Sequence, residues 1–172
     1  MGPDRARYRY GRRDVLTHQG WFTWDASWTW GITLIACTVA LHVSCVVLAA
    51  LGLRRLRIAR TRGKHRLLDT TVGAIIVIVA VAWLLAVAHA VECTIWAAAY
   101  LHLGGVENPA DAMLYSIDSL TTRGTSGLVL QHHWLMMGAI ESIDGLLLFG
   151  ISTAFLFHVM RGWLPDFTLR RS

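Results

Sequence analysis

Three stretches of the chain are almost wholly apolar, and the polar segments between them are short. Residues 30–53 run for 24 residues without an Asp, Glu, Lys or Arg. Residues 70–91 are equally uncharged, and Gly73 to Val91 is nearly all Val, Ile, Ala and Leu. Residues 136–162 carry Glu141, Asp144 and Arg161 as their only Asp, Glu, Lys or Arg. A helix needs about 20 apolar residues to cross the hydrocarbon core of a bilayer, so each stretch predicts a transmembrane helix. The second is expected to continue to residue 103, past Glu92, Trp96, Tyr100 and His102. The pattern predicts an all-α membrane protein with three transmembrane helices.

The segment between the second and third stretches behaves differently. Residues 104–112, GGVENPADA, interrupt the helical pattern with Gly104, Gly105, Asn108 and Pro109. Asn108 is a natural cap and Pro109 suits the first position of a new helix. A short helix is therefore expected from Pro109, with about two turns over Tyr115–Thr122. Arg123-Gly124-Thr125-Ser126-Gly127 is a run of mostly small residues whose glycines do not continue a helix. The stretch from Tyr115 to Leu128, YSIDSLTTRGTSGL, is too polar to face lipid and too short to be a domain. A short helix and an extended run between two spans predict a re-entrant pore loop. Non-helical backbone is tolerated at membrane depth only where protein buries it or where it lines a watery path. Along such a path, carbonyls and Thr and Ser hydroxyls become ligands for a passing ion.

The same residues carry a family resemblance. Thr121-Thr122-Arg123-Gly124-Thr125-Ser126-Gly127 resembles the potassium-channel filter pattern T-T-V-G-Y-G-D. Trp134, Gly138-Ala139-Ile140-Glu141, Gly145-Leu146-Leu147-Leu148-Phe149-Gly150 and Ser152-Thr153-Ala154-Phe155-Leu156-Phe157 resemble the second pore helix of small bacterial ion channels. His89, Glu92, Trp96 and Tyr100 resemble the end of the first pore helix in that group. The resemblance covers roughly residues 70–162. It implies a potassium-channel-like pore module: outer helix 70–103, pore helix and filter 109–128, inner helix 136–162. It also implies a homotetramer, since one loop per subunit cannot surround an axis alone. The expected activity is passive transport of a monovalent cation, K+ being the family's ion, across a bacterial inner (cell) membrane. The ion pathway falls to Thr121, Thr122, Arg123, Gly124, Thr125, Ser126 and Gly127, and the gate or hinge to Gly150. Arg123 stands where the pattern has Val, Thr125 where it has Tyr, Ser126 where it has the second Gly and Gly127 where it has Asp. These departures fall where selectivity is carried, so a non-selective, anion-passing or non-conducting pore stays open as an alternative.

Composition and charge add topology. The 172 residues are 55% hydrophobic, with mean hydropathy +0.47, which excludes an ordinary soluble domain and fits one membrane module. The formal net charge is +5, but the cations sit beside apolar stretches, which points to a lipid surface and not to nucleic acid. Residues 1–29 form a basic, Trp-rich N-terminal segment; four tryptophans between 21 and 30 read as an interfacial belt. Residues 30–53 then form a peripheral span. Residues 54–69 form a basic loop, with seven Arg and Lys between 54 and 66, and the positive-inside rule places it in the cytoplasm. That puts the N-terminus outside and the tail, 164–172, in the cytoplasm, although the arginines of the N-terminal segment oppose this orientation.

The remaining chemistry lies in ionisable groups inside apolar stretches, where each is a functional hypothesis. Asp118, Arg123, Glu141 and Asp144 suggest a charge network that braces the loop, with Asp118 or Asp144 tied to Arg123. The competing placement turns Arg123 toward the axis, where four copies repel cations. Glu92 is expected to accept hydrogen bonds behind the loop. His42, Cys45, His89, Glu92, Cys93 and His158 allow a second class of function, a membrane metal or haem protein, in which His89, Glu92 and Cys93 share one helix face. The leading expectation has no metal or cofactor apart from the permeant ion, with the lipid bilayer and further copies of the chain as partners. No nucleophile–base pair or phosphate-binding loop points to an enzyme.

Overall fold

The computed structural model of the protein describes residues 18–61, 70–124, 127–131 and 134–163. Every regular element among them is helical: α1 His18–Thr61, α2 Thr71–His102, α3 Pro109–Leu120 and α4 Leu135–Trp163. Three of these are long and apolar enough to cross a membrane, over Ala26–Ala59, Thr71–His102 and Leu135–Trp163. Much of their outer surface is large and apolar, including Leu48, Ile76, Trp83 and Leu146. Such a surface suits lipid and is not found on soluble monomers.

The first helix is longer than its apolar stretch. It has 44 residues, about 66 Å at 1.5 Å per residue, roughly twice a hydrocarbon core. The expected break at residue 54 does not occur. Arg is a good helix former and no Pro intervenes, so Arg54, Arg55 and Arg57 lie on the last turns of α1. The Trp-rich stretch is helical too, while the expectations for residues 1–17, 62–69 and 164–172 concern segments outside the described residues.

The shorter helix occupies a specific place. Asn108 caps it by accepting from the Ala110 N–H at 2.8 Å, Pro109 fills its first turn, and Asp111 complements the positive end of its dipole. Its twelve residues span about 18 Å. Two contacts fix its depth. The Leu120 carbonyl rests against Gly145, about ten residues or 15 Å along α4. Ser116 Oγ lies 3.0 Å from the carbonyl of Cys93, about nine residues or 14 Å back from the end of α2. The chain then returns to its starting level, where Gln131 N–H donates to the Gly105 carbonyl (3.3 Å) and Trp134 Nε1–H to the Leu103 carbonyl (3.1 Å). From α2 the chain thus makes an excursion down the bundle and comes back to the same end.

Two larger apolar clusters, and a smaller one of Cys93, Leu120 and Leu148, hold the helices together. Trp96, Tyr100, Tyr115, Met137, Ile140 and Leu34 join all four elements near one end. Ala74, Val77, Val81 and Leu85 pack on Val159 and Trp163 near the other. Between them lies a polar interior.

Candidate functional site

The end of α3 begins the loop that the sequence singles out. Thr121 N–H donates to the Ile117 carbonyl, Thr122 N–H to Ser119, and Arg123 N–H to Asp118. The last two bonds form a Schellman turn, which needs a left-handed residue at its corner. That residue is Thr122, at φ 55°. A β-branched residue there is strained by roughly 1–2 kcal/mol. Gly124 and Gly127 also have positive φ, at 83° and 85°. Thr121, Thr122, Arg123, Gly124 and Gly127 are all exposed; Thr125 and Ser126 are outside the described residues, as are His132 and His133.

Arg123 has a carboxylate partner. Its Nη1 lies 3.0 Å from Asp118 Oδ1, and Asp118 is fully buried while the arginine side chain is 65% exposed. Of the two partners expected for it, Asp118 takes the role. Asp144 does not: its Oδ2 accepts from Thr38 Oγ1–H (2.7 Å) and Trp96 Nε1–H (3.0 Å), well inside the bundle.

Three buried carboxylates stack through the interior, each bonded to a different set of groups. Nearest α3, Glu141 accepts from Tyr100 O–H (2.6 Å) and from Ser116 O–H (2.5 Å), with Tyr115 edge-on to Tyr100. One turn along α4 comes Asp144 with Thr38 and Trp96. One turn further along α1 and α2 comes Glu92, which departs from its expected role. Glu92 does not reach the loop; it bridges two histidines. Its Oε1 lies 2.7 Å from His42 Nδ1 and its Oε2 2.8 Å from His89 Nδ1. On the other edge of both rings, Ser152 Oγ lies 2.9 Å from His42 Nε2 and 3.1 Å from His89 Nε2. Ring centroids are 5.0 Å apart, and Phe149 packs on His89 at 4.4 Å.

Hydrogen counting defines this closed ring. Four hydrogen bonds need four protons, and Ser152 supplies one. Two neutral imidazoles supply two more. The fourth makes either an imidazolium beside a carboxylate or a carboxylic acid beside two neutral imidazoles. Both arrangements have zero net charge, as a buried site requires. The ring also brings three metal-ligating residues together: donor atoms of His42, His89 and Glu92 lie within 4.8 Å of one another.

The other members of the expected metal or haem set do not join them. Cys45 and Cys93 are free thiols; Cys93 packs against Leu120 and Leu148. His158 lines a cavity of about 160 Å³ with Arg54, Arg57 and Trp163 at the far end of α1 and α4. Gly150 lies exposed within an uninterrupted α4, where an added Cβ would meet open space. Thr38 and Ser116 escaped the sequence reading, although Thr38 stands one turn from His42 on the same face. No family model, curated protein or solved structure matches the chain.

Proposed function

We propose that the protein is the subunit of a homotetrameric, channel-like pore for passive ion movement, with the ions passing along residues 121–127. One observation carries this reading. A capped twelve-residue helix is held about 15 Å down the bundle, and the backbone that leaves it is non-helical and exposed. Exposed irregular backbone is not tolerated against lipid, so at that depth it needs a watery path. A single loop lines only one side of such a path, and further copies close it. The resemblance of the loop and of α4 to potassium-channel segments supports the same conclusion. Arg123 favours cation passage, because its guanidinium is engaged by the buried Asp118 and serves as a brace. Pairing with a carboxylate largely cancels its charge toward an ion.

The helix α1, which we read as an addition to the two-helix module, packs on α2 and α4. The orientation we propose places the basic end of α1 and the α4 end on the cytoplasmic side of a bacterial inner membrane. The test is assembly with transport. Purified protein in native mass spectrometry is expected to be four chains, and liposomes containing it are expected to take up Rb+ down its gradient. A monomer that remains monomeric in lipid would refute the proposal.

A further inference from the structure

We propose that His42, His89 and Glu92 bind one divalent first-row transition-metal ion, Zn2+ being the ion their chemistry fits. The site stands apart from the loop and does not depend on ion passage. Two imidazoles and a carboxylate leaving an open fourth position form a well-attested zinc donor set. Here they come from two helices, and the carboxylate already faces both Nδ1 atoms at 2.7 and 2.8 Å. Tetrahedral ligands about 2.0–2.1 Å from a zinc ion stand roughly 3.3 Å apart. To hold one ion, the carboxylate must open from the imidazoles by about half an ångström, and the ligand atoms, now within 4.8 Å of one another, must all reach that spacing.

The surroundings fit a metal as well as the donors do. Metal-bound histidines place their other N–H on a nearby acceptor that fixes the tautomer. Ser152 Oγ is positioned to accept from both Nε2 atoms. The charge balance also closes. Two neutral imidazoles and one carboxylate around a divalent ion leave a net charge of +1. The answering charge is one turn away: Asp144 is buried, and its Oδ1 has no hydrogen-bond partner among the described residues. Thr38 and Trp96, which hold its other oxygen, stand one helical turn from His42 and Glu92. The ion enters beside His89, the one ligand with exposed surface (14%), past Phe149. Once bound, it clamps α1 to α2, with Ser152 of α4 behind it.

The test uses the full chain in detergent, stripped with a chelator and titrated with Zn2+ and, as a spectroscopic stand-in, Co2+. The expected result is one ion per chain. Bound Co2+ is expected to show the visible bands of a four- or five-coordinate site. Glu92→Gln and His89→Gln are expected to weaken Zn2+ binding by more than about 100-fold, and Ser152→Ala by about 10–100-fold. Wild-type protein that is helical and correctly assembled yet takes up neither ion stoichiometrically would overturn the proposal. So would Zn2+ affinity unchanged in a folded Glu92→Gln variant. The wild-type Co2+ spectrum decides the matter even if a variant does not fold.

Discussion

Asp118 and Arg123 show how a charge is kept inside this protein. The carboxylate is fully buried and the arginine mostly exposed, so their pairing is worth less than that of a fully buried pair. The asymmetry predicts an order of stability. Arg123→Gln deprives a buried carboxylate of this cation, whereas Asp118→Asn removes the buried charge itself. The double variant is therefore expected to melt above Arg123→Gln alone, as followed by circular dichroism in detergent. A double variant that melts below it would show that the pair is not coupled in this way. The same pair shows what was legible at this scale. An arginine in a filter-like loop demanded a nearby acid, and a neighbour five residues away was within view. The partners that Asp144, Glu92 and Glu141 find on other helices were not, because they lie 106, 50 and 41 residues away for Thr38, His42 and Tyr100. Spacing along one helix finds partners on that helix only, and these groups meet across three.

At the scale of elements, the apolar runs located all three long helices because helices that cross lipid must be apolar for about 20 residues. Their ends were less legible: α1 runs through the basic residues, since a polar helix projecting into water has no apolar pattern to mark its end. The short helix was readable from Asn108 and Pro109, but the reason it sits where it does was not. That reason is Gly145, where an added Cβ would collide with the Leu120 carbonyl oxygen. A backbone oxygen cannot swing aside as a side chain can. Gly145→Ala is expected to push α3 off α4 and to cost about 1–3 kcal/mol. Gly52→Ala, in an open position of α1, is expected to leave stability unchanged or to raise it. Thermal melting of the two variants checks this contrast; equal melting temperatures would mean that the close approach is not needed.

The whole molecule combines a lipid-facing exterior, a polar interior and one exposed loop at depth. The interior ties α1 to the other long helices, since Thr38 and His42 reach Asp144 and Glu92. The function we propose rests on the loop, with cations passing along residues 121–127 and Arg123 as a brace. The most direct test is the reversal potential of the purified protein in planar bilayers under a KCl gradient. The account predicts a reversal at the potassium equilibrium value. Replacing K+ by Na+ then reads how far the loop discriminates between the two ions. A reversal at the chloride value, or no current from protein shown to be tetrameric, would contradict it.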